Sequence, residues 1–120
     1  MSDVSALAHA VQAAPSISIC ANEHLTYRDL NPVLWGMEEE GVPAVIEFLA
    51  DLNPLTLAHR AAQSSRLGVG VGLSLGYIVV TTDKLPIERP YLATENPTLD
   101  EARQMGANAA RLVRRVPLKG

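Results

Sequence analysis

The chain has 120 residues, a length that suits one domain and allows a hydrophobic core to form without disulfide or metal staples. Apolar residues make up 48% of it and charged residues 19%, and no run of 18 or more apolar residues occurs, so a globular protein is expected and a membrane-spanning helix is not. The net charge of −3 divides into −7 over residues 1–58 and +4 over residues 59–120, without the clustering of Lys and Arg among aromatic residues that would suit nucleic acid.

Residues 1–15 are Ala-rich and close on Pro15; they read as an N-terminal tail or short helix preceding an α/β domain over residues 16–120. They hold no basic region followed by a long apolar stretch, so no signal peptide is expected. Residues 16–20 read as a strand. Cys20, the sole cysteine, lies in its apolar run and reads as a buried, inert thiol, which fits a cytoplasmic protein. Asp29 or Asn31 then caps a helix with Pro32 in its first position, running to Glu40 and stopped by Gly41.

Pro43 to Leu49 is β-branched and apolar, a second strand. Pro54 to Ser64 places Leu55, Ala58, Ala61 and Ala62 at helical spacing. Leu67 to Leu73 and Tyr77 to Thr82 read as strands joined through Ser74-Leu75-Gly76 into a hairpin. Pro86 and Pro90 mark a loop, and Asn96 is the expected cap of a long helix from Pro97. That helix has an inward stripe of Leu99, Ala102, Gly106, Ala109 and Val113. Val116 to Leu118 adds a short final strand. Strands alternating with helices predict an α/β domain with a mixed sheet.

The motifs that resemble catalytic ones lack their contexts. Gly70, Gly72 and Gly76 have GxGxxxG spacing, but Ile78-Val79-Val80-Thr81-Thr82 follows where a dinucleotide site needs a helix N-terminus. These glycines are expected to serve close packing and a sharp turn. No P-loop occurs. His9, His24 and His59 are too dispersed for a metal cluster, Ser64-Ser65 lacks a nucleophile context, and Asp100 with Glu101 suits the first turn of a helix. No acid, base and nucleophile form a set, so the chain is expected not to be an enzyme.

The helix from Pro32 to Glu40 is different. At about 100° per residue Val33, Leu34 and Met37 share a face with Leu30, while Trp35 and Glu39 fall opposite, four residues apart and hence surface neighbours. Trp is enriched among interface hot spots. Glu38, Glu39 and Glu40 occupy the last turn, where the helix dipole disfavours each acid by roughly 0.3–1 kcal/mol. Two readings stand: a solvated acidic face with Trp35 tucked under a loop, or an interface awaiting a cation or a basic partner.

Trp35-Gly36-Met37-Glu38-Glu39-Glu40-Gly41-Val42-Pro43 resembles the WGxEExGVP signature of the small subunits of diol and glycerol dehydratase reactivating factors. Ala61-Ala62-Gln63-Ser64-Ser65-Arg66-Leu67, the stretch Gly68 to Ser74, and Met105-Gly106-Ala107-Asn108-Ala109 with Leu112-Val113 are similar to further family motifs, in order, over about residues 16–118. The resemblance implies a three-layer α/β/α fold with about five strands. It implies a non-catalytic, chaperone-like subunit whose partners are an ATPase large subunit, usually in a heterotetramer, and the large subunit of an adenosylcobalamin-dependent dehydratase. Subunit exchange would release damaged cobalamin; neither ATP nor cobalamin would be bound by this chain alone. It further implies that Glu39 reaches a divalent cation, Mg²⁺ or Ca²⁺, on the large subunit, and that the complex is cytoplasmic or associated with a bacterial microcompartment. The competing readings are a medium-subunit-like piece of the dehydratase itself and a stand-alone nucleotide-binding α/β protein. The Ala-rich residues 1–15 depart from the family, so contacts through them do not carry over.

Overall fold

A computed structural model describes residues 15–115. Its elements in chain order are β1 (Ile17–Asn22), α1 (Tyr27–Glu39), β2 (Ala44–Leu49), α2 (Pro54–Ser64), β3 (Val69–Ser74), β4 (Tyr77–Thr82), β5 (Leu92–Glu95) and α3 (Leu99–Val113). The five strands form one mixed sheet in the order β2-β1-β3-β4-β5. β1 pairs parallel with both β2 and β3, and β4 pairs antiparallel with β3 and β5. Helices α1 and α3 pack together on one face and α2 lies on the other, which gives the three-layer arrangement. The crossover through α1 runs from β1 out to β2 and the one through α2 returns from β2 past β1 to β3, opposite directions along the sheet, so two right-handed connections put those helices on opposite faces.

Alternation along the central strands decides which side chain meets which layer. Ile17, Ile19 and Ala21 of β1 and Val69, Val71 and Leu73 of β3 join Leu30, Val33 and Met37 of α1 and Met105 and Ala109 of α3 in the main core. The opposite face carries Cys20, which packs with Leu57 and Ala61 of α2. Burial, then the nearby Glu47 carboxylate, push its thiol up to about 11, so Cys20 is an inert core residue as expected.

The glycines of β3 have a steric role. A Cβ on Gly72 would sit 2.5 Å from the Pro54 carbonyl oxygen and 2.5 Å from the Ala58 nitrogen, and one on Gly70 would sit 2.6 Å from the Ala58 carbonyl oxygen. The space a phosphate would need is filled by the backbone of α2, and the chain leaves β3 through a two-residue turn rather than into a helix. Leu75 and Gly76 have φ of 54° and 81°, the twisted turn that joins closely paired strands. Ser64-Ser65 is structural too: the Ser65 hydroxyl donates to the Ser16 carbonyl oxygen at 2.7 Å, tying the end of α2 to the start of β1.

Several boundaries differ from the sequence reading. Helix α1 begins at Tyr27, five residues before Pro32, because Thr26 is its cap. The Asp29 carboxylate accepts from the Thr26 N–H at 2.7 Å and from its hydroxyl at 3.1 Å, so Asp29 lies in the first turn, Asn31 is no cap, and Pro32 sits within the helix. Helix α3 is capped by Thr98 instead of Asn96, with reciprocal bonds between Thr98 and Glu101 of 2.9 and 3.1 Å. Asn96, at φ 48°, instead donates its N–H to the Gly76 carbonyl oxygen and extends the β4–β5 pairing by one bond. Strand β5 itself falls where only a loop was expected. The expected N-terminal tail or short helix, apart from Pro15, and the expected strand Val116–Leu118 lie outside the described residues.

Candidate partner-binding surface

Helices α1 and α3 run side by side in the same direction, in contact almost backbone to backbone. A Cβ on Gly36 would lie 2.7 Å from the Ala107 nitrogen and closer still to the Arg103 carbonyl oxygen; one on Gly106 would strike the Val33 carbonyl group. The family motifs around Trp35-Gly36 and Gly106-Ala107 thus meet in space, and small residues are what the crossing requires. Their outer faces form one continuous surface.

Trp35 is 48% exposed on that surface. It lines a shallow concavity with Leu99, Asp100 and Arg103, and a second concavity beside it is lined by Glu39, Arg103, Gln104 and Arg111. Leu30, Val33 and Met37 are buried and Leu34 packs against the core, so the two faces of α1 divide as the periodicity predicts. Leu99 differs from its expected place in the inward stripe of α3: it is the first residue of the helix, 73% exposed, and lines the concavity beside Trp35.

Two of the three acids at the end of α1, Glu39 and Glu40, meet cations within the chain. Arg103 Nε lies 3.5 Å from Glu39 Oε1 while its Nη2 reaches Asp100 at 3.1 Å. Arg114 donates to the Glu40 carboxylate at 2.8 Å and to the Glu40 carbonyl oxygen at 2.9 Å, and Arg111 contacts the same carboxylate at 3.4 Å. Parallel helices bring two negative dipole ends together, and the arginines of α3 answer both. Arg111 and Arg114, in the last turn and at the cap of α3, thereby clamp the end of α1 as well.

The Arg114 hydrogen bond, with the charge of Arg111, holds the Glu40 carboxyl below the usual carboxylate range. A folded-state value below the unfolded one adds stability above the unfolded pKa that is lost as pH falls through the folded pKa. Glu40→Gln is therefore expected to melt below the wild type at pH 7. The gap should narrow below pH of about 4.3, the ordinary Glu value, and close in stronger acid. Melting curves from pH 7 to pH 2 check this, and a gap that persists unchanged in acid would assign the effect to packing.

Among the described residues no three His, Cys, Asp or Glu side chains converge to hold a metal ion. Glu39 fits a cation only as a single donor. Its carboxylate is a hard oxygen ligand suited to Mg²⁺ or Ca²⁺, 54% exposed, and held by one long contact to Arg103. No helix of the described residues is long and apolar enough to cross a membrane. Sequence reasoning places Trp35 and Glu39 on the outer face of α1, and the structure sets Leu99 and Arg103 beside them, which the sequence does not declare because nothing in it states that α1 and α3 lie parallel.

The fold and this surface define a class: a small three-layer α/β domain with an aromatic and charged face on paired parallel helices. Residues 14–119 match the family model described as dehydratase medium subunit, and the chain belongs to that family. It is 39% identical over 88 residues to the propanediol dehydratase-reactivating factor small subunit of Citrobacter freundii, covering 72% of this chain and 76% of that protein. It is 35% identical to the diol dehydratase-reactivating factor small subunit of Klebsiella michiganensis, over 72% of this chain and 70% of that one. Among solved structures, a glycerol dehydratase reactivase matches with a TM-score of 0.79 and 31% identity, over 89% of this chain and 98% of that one. A diol dehydratase-reactivating factor complexed with ADP and Mg²⁺ matches equally, at 0.79 and 31%, over 90% and 100%.

Proposed function

We propose that this chain is the small, non-catalytic subunit of a reactivating factor for adenosylcobalamin-dependent diol or glycerol dehydratases. It binds an ATPase large subunit through the surface around Trp35 and Glu39 and, by exchange, the large subunit of the dehydratase. The observation that carries the proposal is the likeness to reactivating-factor small subunits over about three-quarters of their length, joined to full coverage of a factor chain at a TM-score of 0.79. The same likeness favours this reading over a medium-subunit component of the dehydratase. A shared medium-subunit fold is what would let the small subunit take that component's place.

The related factor is complexed with ADP and Mg²⁺, so a divalent cation is available to such an assembly; in this reading one lies at the boundary between subunits, where Glu39 would give one carboxylate oxygen and the large subunit the remaining ligands. Such a cation supplies a fixed positive charge that a carboxylate can bridge. Trp35 supplies apolar area beside it, and a hot spot of this kind needs water kept out by its neighbours.

Trp35 is the chain's only tryptophan, so its fluorescence reports this surface alone. The free subunit should emit as a partly solvated indole, and its emission should shift to the blue when the ATPase large subunit is added with Mg²⁺ and ADP. An emission spectrum unchanged on mixing, while co-sedimentation shows the complex forming, would remove Trp35 from the interface. Absence of any complex would overturn the proposed function.

A further inference from the structure

Arg103 occupies a position that the interface reading alone does not explain. Its guanidinium lies between two carboxylates, 3.5 Å from Glu39 and 3.1 Å from Asp100, and all three side chains are about half exposed. Glu39 and Asp100 come from different helices, so the bridge exists only because α1 and α3 run parallel in this register. The contact to Asp100 is the shorter one and lies within a single helix, three residues apart. Asp100 is also fixed from its other side by Gln104, whose Nε2 donates to Oδ2 at 3.0 Å. One carboxylate is thus a firm anchor for Arg103 and the other a loose one.

A guanidinium at this distance from Glu39 is unfavourable for a divalent cation on the same carboxylate, because the two positive charges compete for one site. Solvent exposure keeps that competition weak. We propose that Arg103 is an intramolecular competitor for Glu39, held across it in the free subunit and released to Asp100 when the carboxylate engages the cation of the large subunit. Glu39 then has a partner in both states, and Arg103 is never left without one. The inference rests on the reading of Glu39 as a cation ligand.

Three single variants and one double variant of the full chain separate the possibilities, each titrated against the large subunit with ADP over a range of Mg²⁺ concentrations. Arg103→Gln should lower the Mg²⁺ needed for half-maximal association by roughly two- to fivefold, as an exposed pair is worth at most about a factor of five. Asp100→Asn should raise it by a similar factor, since Arg103 then has only Glu39. In the Arg103→Gln background, Asp100→Asn should have no effect. Opposite signs for the two single variants, with the second silent in the first, support the proposal.

If Arg103→Gln raises the Mg²⁺ requirement or leaves it unchanged while Glu39→Gln abolishes the Mg²⁺ dependence, Arg103 is no competitor, although the ligand reading stands. If Glu39→Gln leaves the Mg²⁺ dependence intact, both fall together. Thermal melts of each variant confirm that the exposed substitutions leave the fold unchanged.

Discussion

Gly106→Ala is expected to destabilise the protein by about 2 kcal/mol or more, against the direction that helix propensity dictates. In an exposed helix interior the same change would stabilise by about 1 kcal/mol. Here the added methyl would strike the Val33 carbonyl group, and backbone cannot move aside as a flexible side chain can. Overpacking of this kind commonly costs about 1–3 kcal/mol and sometimes more. Relief requires α3 to slide or lift from α1, which would also separate the Trp35 and Arg103 sides of the proposed interface. Urea unfolding should show the midpoint lowered by about 1 M or more at unchanged slope. A midpoint at or above that of the wild type would mean the helices are not in contact at this point. Gly36→Ala tests the same contact from the other side, and the double variant should cost less than the sum because the first change already opens the crossing.

That contact also shows where sequence reading succeeds and where it stops. Strand β4 and helix α2 are legible to the residue, since a β-branched run and a Pro-led apolar stripe each lie between clear breakers. The two faces of α1 are legible for a related reason: periodicity within one helix needs no knowledge of what covers it. Strand β5 is not legible, because Leu92-Ala93-Thr94-Glu95 is short, sits on a sheet edge, and follows a proline-rich loop that dominates the local pattern. The caps at Thr26 and Thr98 were misplaced because Asn and Asp nearby are equally good candidates until the chain path chooses between them.

At the site, the sequence leaves the acids at the end of α1 either solvated or awaiting a cation, because the arginines that meet Glu39 and Glu40 lie more than sixty residues away. Glu40 pairs with Arg111 and Arg114 across 71 and 74 residues, a contact that only the parallel packing of α1 and α3 creates. The dipole argument correctly identified a need for positive charge at this helix end. It could not say whether the charge comes from the chain or from a partner. The structure divides the answer: Glu40 is enclosed by two guanidinium groups, with 18% of its side chain exposed, whereas Glu39 stays open with a single long contact. Of the acids with an arginine partner here, Glu39 is therefore the one with coordination capacity left over.

Glu39→Gln is accordingly expected to leave the isolated subunit folded and almost unchanged in stability, within about 0.5 kcal/mol, because an exposed ion pair to Arg103 contributes little. Association with the ATPase large subunit should respond very differently. Removing one charged partner from an interface where it becomes buried commonly costs about 2–5 kcal/mol, most of it the penalty of leaving the other charge unanswered. At about 1.4 kcal/mol per tenfold, affinity in Mg²⁺ should fall roughly thirtyfold or more. The chelator arm makes the prediction specific. Wild-type association should weaken sharply in EDTA, while Glu39→Gln, having no carboxylate to offer, should bind with nearly the same affinity in Mg²⁺ and in EDTA. Isothermal titration of both proteins under both conditions gives the four affinities. Equal affinity of wild type and variant in Mg²⁺ would return Glu39 to a solvated helix end. A variant that still loses affinity on chelation would place the cation elsewhere in the complex.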